Sequence, residues 1–535
     1  MELIGILIVS HIALNATLDK LPYAKGASWD PGHVCLAHTR DGLLEDIWTW
    51  ITATPTTGTA EICWLTGVAG AGKTAIAHSV AQHCSEQNLL VSCFFFDHKT
   101  SGLSDPQALF STIAYDLCKA NSEFAEQAAL AIELDRSLAS CTIIRQFKEL
   151  IRRPSHPSLV GRRFVIVIDA LDEGCSSDLL DILSNGIPQL PPTIRIFLTS
   201  RPEDNIVSVL SQKSHIKSVV LHTDEQANKH DLSLYIQHRF KLIATQKKLG
   251  DDWPGPRLLA DFTKRAGGLF LWVAAFCNYL SVLLNPTRQL EMLASGQSVS
   301  GIHAEERIDR TYIMILSNCN WQDIDFVQGY SQVMGAIMAV KTPLSISALQ
   351  VLHGSSLPLP VSTILGPVRS LLTASTFVDH AQPATILHQS LHEFITVRAH
   401  ASSQSQPFYL NETEHSQRLA LLCLEVLNIQ LKEGISGTGY LSGSTQTQAP
   451  GIPQIGEGEI SEELWYACRF WIDHLLEVKA PLMGLVASLQ TFLLENAVLW
   501  MEVLVSKGQI RGLAQVQEWS EVSRVAETIV SKVSL

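Results

Sequence analysis

Gly67-Val68-Ala69-Gly70-Ala71-Gly72-Lys73-Thr74 reads G-x-x-x-x-G-K-T, the spelling of a loop that wraps the phosphates of a nucleotide. Its glycines let the backbone come close to phosphate oxygens and aim N–H groups inward. Lys73 is placed to reach the β and γ phosphates, and the Thr74 hydroxyl to hold Mg²⁺. The flanks agree with this reading. Ile62-Cys63-Trp64-Leu65 is a short apolar run suited to a buried parallel strand. From Ala75 to Cys84, the residues Ile76, Ala77, Val80 and Ala81 recur at helical spacing. The loop therefore opens a helix, whose N-terminus favours anions.

Further apolar runs extend the pattern. Val91-Ser92-Cys93-Phe94-Phe95-Phe96 predicts a second strand, and Gln107 to Lys119 a helix with Leu109, Phe110, Ile113 and Leu117 inward. Phe164-Val165-Ile166-Val167-Ile168 is the most β-prone run and closes on Asp169-Ala170-Leu171-Asp172-Glu173. Asp169 is where a Walker-B carboxylate belongs, beside the magnesium. Asp172 and Glu173 follow within a turn, and one of them can orient the attacking water. The plainer reading is a solvated acidic turn after a strand. A further strand, Arg195-Ile196-Phe197-Leu198-Thr199-Ser200, runs into Arg201-Pro202. Arg201 is placed to balance charge on the γ-phosphate, its plain reading being a surface arginine. Alternating strands and helices predict parallel βαβ units, with ligands at the carboxyl ends of the strands.

With 535 residues, the chain exceeds one core and calls for several domains. A helix is predicted over Asp41 to Ile51, and beyond about residue 225 helical periodicity takes over. Leu269 to Leu284 is apolar but too short to span a bilayer, so it reads as a buried helix. Asn285 to Ser300 reads as a polar break. Helices are expected at Tyr330 to Val340, Leu344 to Val351 and His388 to Val397, and three or four more after residue 459. Gly434 to Gly458 reads as a flexible link. The apolar run Leu3 to Ala13 lacks a preceding basic residue, so a packed element or the trimmed start of a longer protein is expected over a secretory signal. No transmembrane span is expected. The net charge of −13 argues against broad nucleic-acid binding. Eleven scattered cysteines without a C-x-x-C pair fit a reducing, cytoplasmic location.

Taken together, Gly67–Thr74, the strand ending Asp169-Ala170-Leu171-Asp172-Glu173, and Leu198-Thr199-Ser200-Arg201-Pro202 resemble a NACHT domain of the STAND class of signalling NTPases. The variety is similar to fungal NOD-like receptors and to proteins with a nephrocystin-3-like N-terminal region. Cys35-Leu36-Ala37-His38-Thr39-Arg40 resembles the lead-in near the base of the nucleotide, which implies nucleotide contact by Thr39 and Arg40. Ala266-Gly267-Gly268-Leu269-Phe270-Leu271-Trp272 resembles the start of the first helical domain. Relatives often carry a proline after the Gly-Gly pair; Leu269-Phe270 stands here, so base contact and preference are not carried over. Ile386-Leu387-His388-Gln389-Ser390-Leu391-His392-Glu393-Phe394 resembles a winged-helix segment, which implies that His388 contacts the β-phosphate of ADP. Without that likeness, His388 reads equally as a packed core histidine. The pair His388 and His392 fails as a zinc motif because Gln389 and Leu391 replace the needed glutamate. Leu464-Trp465-Tyr466-Ala467-Cys468 resembles a linker before sensor repeats; the repeats themselves are missing, so a truncated, decoy or partner-dependent member is expected.

The expectation is thus an α/β P-loop NTPase core with a parallel sheet, followed by all-α helical and winged-helix domains. Its divisions are an N-terminal segment (1–28), the nucleotide-binding domain (29–225), a helical domain (226–300), a winged-helix-like domain (301–400) and a helical linker region (401–535). The cofactors implied are ATP or ADP with Mg²⁺; a phosphate loop does not separate these from GTP. The favoured function is a signalling switch with weak hydrolysis that self-associates on activation, with protein partners unknown. A substrate-stimulated remodelling ATPase and a nucleotide-binding scaffold that does not hydrolyse remain rival readings.

Overall fold

The computed structural model describes residues 21–54, 61–97, 100, 102–159, 162–295, 303–373, 380–431, 435, 438–441, 455–456 and 458–523. The apolar N-terminal run, and most of the expected flexible link at 434–458, lie outside the described residues. The chain divides into two compact units, Met1–Ile308 and Asp309–Leu535.

The first unit is built on five parallel strands: β1 (Ile62–Gly67), β2 (Leu90–Phe95), β3 (Phe164–Asp169), β4 (Ile194–Ser200) and β5 (Ile216–Leu221). They lie in the order β2-β3-β4-β1-β5. Every residue of β1, β3 and β4 is buried. Those strands can therefore be apolar throughout, one face feeding each of two cores. Trp64, Ile166, Ile168, Ile196 and Leu198 enter one core; Cys63, Leu65, Val165, Val167 and Phe197 enter the other. From β1, next to the β5 edge, the chain passes to β2 at the opposite edge, and β4 to β5 crosses β1 the other way, so the carboxyl end of β1 is a topological switch point, where open α/β sheets bind ligands.

The phosphate-loop helix is Lys73–Glu86, as the periodicity predicts, and the first helix is Asp41–Thr52. β5 has no counterpart in the expectations, because its pattern is Ile216-Lys217-Ser218-Val219 with lysine and serine turned outward on an edge strand. Helix Ser122–Leu134 likewise has no counterpart in the expectations, whereas Gln226–Lys247 opens the helical stretch expected beyond about residue 225. The supposed polar break at 285–300 is corrected: Pro286–Ser295 is a helix that buries Leu290, its polar residues forming the outer face.

The second unit is helical. Its core runs along Ile324–Ala339, Glu412–Gln430 and Glu462–Leu476, with Trp471, Phe492 and Trp500 packed edge to face. After residue 459, the expected helices are Glu462–Leu476, Met483–Ser506 and Ala514–Val522. Met483–Ser506 is long and apolar enough to cross a bilayer, but Leu485, Leu489, Phe492, Trp500 and Val503 are packed inside the unit. The helix expected from His388 is Gln389–Thr396; His388 itself has extended backbone and caps that helix.

Candidate functional site

At the carboxyl edge of the sheet, the loop Gly67–Gly72 connects β1 to the helix that starts at Lys73. Gly70 and Gly72 have φ of +77° and +94°. Those angles require glycine, since other L-residues pay roughly 1–2 kcal/mol there. Ala71 N–H closes a turn onto Val68 O at 3.3 Å. The Lys73 ammonium folds over the loop, donating to Gly67 O at 2.8 Å and Val68 O at 3.1 Å. Burial pulls the Lys73 pKa down, opposed by the nearby Asp172 and Asp169. A cation held over carbonyls in this way gains from exchanging them for phosphate oxygens.

Asp169 ends β3 and is 2% exposed. Burial pushes its pKa up to about 6, against hydrogen bonds from Thr199 and Thr74. The bond from Thr199 Oγ1 to Asp169 Oδ1 is 2.5 Å, while the same Oγ1 accepts Ala170 N–H at 3.0 Å. The two expected magnesium ligands are thus brought together: a hydroxyl and a carboxylate in contact, fixed from behind by a threonine of β4. That all-oxygen donor pair fits a hard divalent cation such as Mg²⁺. β4 lies between β3 and β1, so its end delivers Thr199, Ser200 and Arg201 between the acidic turn and the phosphate loop.

Asp172 spends both oxygens on Arg201: Oδ1 accepts the backbone N–H at 2.9 Å and Oδ2 lies 3.1 Å from Nε. Its side chain is 5% exposed, which favours a positioning task over that of an open base. Glu173 follows in the same short turn, Leu171–Glu173, after Ala170 takes φ of +56°. Thr39 and Arg40 are both buried, behind the loop. The Thr39 hydroxyl donates to Leu36 O at 2.6 Å. Arg40 Nη2 donates to Ala71 O at 2.9 Å and to Asn228 Oδ1 at 2.7 Å, with its guanidinium 4.8 Å from the Phe270 ring centre. Arg40 thus holds the loop's backbone.

Two features of the site escaped the sequence reading. Asn228 is 3% exposed, and its Nδ2 donates to Thr223 O and Gly268 O while Oδ1 accepts from Arg40. Leu271 N–H donates to Gly70 O at 3.2 Å, so the Gly-Gly-Leu-Phe segment seats on the phosphate loop. No sequence signal marks Asn228, whose partners come from separate elements. His388 belongs to the second unit, where its Nδ1 accepts Ser390 N–H at 3.0 Å as a helix cap. Among the described residues no group of three or more His, Cys, Asp and Glu is placed to hold a metal ion. A cavity of about 410 Å³ between 34–39 and helices Asp41–Thr52 and Lys73–Glu86 lies apart from Lys73, Thr74 and Asp169.

Strand order, phosphate loop and the Thr74–Asp169 pair define the class: an α/β P-loop NTPase core with a helical region after it. More narrowly, residues 38–201 match the family described as Nephrocystin 3, N-terminal, so this stretch is similar to a nephrocystin-3-like, NACHT-type domain. No curated protein matches the chain. Among solved structures, a chain from Drosophila ORC bound to DNA is 11% identical, with a TM-score of 0.29, covering 67% of this chain and 94% of that one. At that score the likeness adds nothing to the fold already described.

Proposed function

We propose that the chain is a nucleotide-operated signalling switch of the NACHT type, NOD-like receptor variety, which binds ATP or ADP with Mg²⁺, hydrolyses slowly and controls self-association. The observation that supports it is the meeting of Lys73, Thr74 and Asp169 around one glycine loop at a sheet switch point. In this reading Lys73 turns from the Gly67 and Val68 carbonyls onto the phosphates. Thr74 and Asp169 hold the magnesium, which supplies charge neutralisation at the phosphates. Asp172 positions Arg201 to face charge developing on the γ-phosphate, and Glu173 orients water. A ligand shifts such a switch only by its differential affinity for the two states, so ADP and ATP must differ in what they contact.

The test is to purify the full chain, identify the nucleotide that copurifies, and follow single turnover for wild type, Lys73→Ala and Asp172→Ala. Retained ADP, slow turnover, and loss of nucleotide in Lys73→Ala support the switch. Fast substrate-stimulated turnover replaces it with a remodelling ATPase, and tight ADP with no turnover at all replaces it with a scaffold. Wild-type protein that takes up no nucleotide sinks every version.

A further inference from the structure

The cavity of about 410 Å³ between residues 34–39, helix Asp41–Thr52 and helix Lys73–Glu86 has the volume of a small-molecule site. Its floor is apolar: Ile47 and Val80 are buried, with Leu44 partly buried beside them. The Trp48 indole forms a wall, held edge to face by the His83 ring with centres 4.2 Å apart. The side-chain hydroxyl and amide donors that line it are engaged within the protein. Thr39 Oγ1 donates to Leu36 O at 2.6 Å, and Ser79 Oγ donates to Ala75 O at 2.9 Å while accepting Cys35 N–H at 2.8 Å. Gln82 Nε2 donates to Glu86 Oε1 at 2.9 Å.

The charge left facing the cavity is negative. Asp41, Glu45 and Glu86 line it among the described residues, and no lysine or arginine does. Asp41 and Glu45 stand four apart on one helix face, where like charges repel. Among the described residues neither of these two carboxylates has a hydrogen-bond or ion-pair partner. Asp41, in the first turn, is favoured by the helix dipole; Glu45, one turn on, lies beyond that help. Glu86 closes the last turn of helix Lys73–Glu86, where the dipole disfavours a carboxylate. The neighbouring arginines are engaged elsewhere. Arg40 turns to Ala71 O and Asn228, and Arg163 reaches the main-chain oxygen of Ile51 without joining the lining. Two helices thus bring unmatched carboxylates to an apolar, aromatic hollow whose lining holds no strong cation.

We propose that this cavity binds a small organic amine with an apolar body: the ammonium at Glu45 with Asp41 beside it, the body against Trp48, Leu44 and Val80. Glu45 and Trp48 lie three apart on their helix, so carboxylate and ring are surface neighbours. An ammonium placed there gains from the carboxylate and from the indole face together. An anion would meet three carboxylates and no free side-chain hydroxyl or amide donor. The volume suits a single small molecule rather than a folded segment of a partner.

The test is isothermal titration of the full chain with phenylethylamine, its neutral counterpart phenylethanol, its anionic counterpart phenylacetate, and the basic peptide N-acetyl-Trp-Lys-amide. Saturable binding of phenylethylamine is expected, with phenylethanol about fivefold weaker and phenylacetate giving no heat. Glu45→Gln, a change at an exposed side chain without a partner, should leave the thermal midpoint in place and weaken the amine about threefold. Trp48→Leu keeps an apolar wall and removes the ring, and should weaken it about fivefold. Added salt should weaken the amine and leave the alcohol as it was. Lys73→Ala should bind the amine like wild type, which separates this cavity from the phosphate loop. Phenylacetate binding as tight as the amine, undiminished binding in Glu45→Gln, tighter binding of the peptide, or no amine binding up to about 10 mM overturns the proposal.

Discussion

Thr199 does two things with one hydroxyl: it donates to Asp169 and accepts the Ala170 N–H, at the turn where Ala170 takes a left-handed conformation. Thr199→Val keeps the shape and removes both bonds. A buried carboxylate then loses a donor and a buried amide loses its acceptor, which costs about 2–4 kcal/mol in all. Chemical denaturation of the two proteins measures this, and a difference below about 0.5 kcal/mol would show that the hydroxyl does not fix Asp169. Gly70 is constrained twice, by φ of +77° and by the 2.6 Å that would separate a Cβ from Leu271 Cβ. Gly70→Ala is therefore expected to cost more than the roughly 1–2 kcal/mol of a left-handed alanine alone. It should also push the loop off the Leu271 amide. Hydrogen exchange at Leu271 should rise in that variant; unchanged protection there would mean that the segment is held by other contacts.

At the scale of elements, legibility followed burial. β1, β3 and β4 were readable because a strand covered on both faces must be an unbroken apolar run. β5 was not, since an edge strand with Lys217 and Ser218 exposed carries neither an apolar run nor clean alternation. The ends of the readable strands told where Asp169, Thr199 and Arg201 would stand, because parallel strands gather their carboxyl ends on one edge. The sequence could not tell that Asp172 would be occupied by Arg201, or that Arg40 would be occupied by the loop backbone. Both follow from distances between elements far apart in the chain. Asn228 is the extreme case. From the first turn of helix Gln226–Lys247 it joins the exit of β5, the Gly267-Gly268 turn and, through Arg40, the phosphate loop. Asn228→Ala takes one acceptor from Arg40, which keeps Ala71 O and the Asp231 carboxylate 4.0 Å away, and leaves Thr223 O and Gly268 O without their side-chain donor, an expected loss of about 1–3 kcal/mol. Nucleotide binding should weaken with it, read by titration with a fluorescent ADP analogue below the unfolding temperature. A variant that keeps full affinity and stability would show that Arg40 holds the loop without Asn228.

Across the whole chain, a unit built on the sheet, Met1–Ile308, is followed by a helical unit, Asp309–Leu535. The helical unit carries a consequence of burial that composition did not reveal. His353, His415 and His474 sit in it with pKa values lowered to about 3, 4 and 3, each first by burial. His474 is 0% exposed and bonded at Nε2 to the Tyr466 hydroxyl at 2.7 Å. In the unfolded chain these imidazoles titrate near 6.5, so between about 6.5 and 4 the unfolded state binds more protons than the folded one. Their contribution to stability is therefore complete above pH 6.5 and drains away as pH falls toward the folded values. At pH 5 the loss is on the order of 2 kcal/mol per imidazole. Urea unfolding of the full chain at pH 8 and pH 5, followed by tryptophan fluorescence from the core around Trp471 and Trp500, should show the helical unit giving way at lower urea in acid. His474→Phe removes one of the three titrations, so its own midpoint should fall less between the two pH values than that of wild type. A wild-type midpoint that did not move, or a His474→Phe slope equal to wild type, would mean that these rings are reached by water and do not act as buried neutral groups.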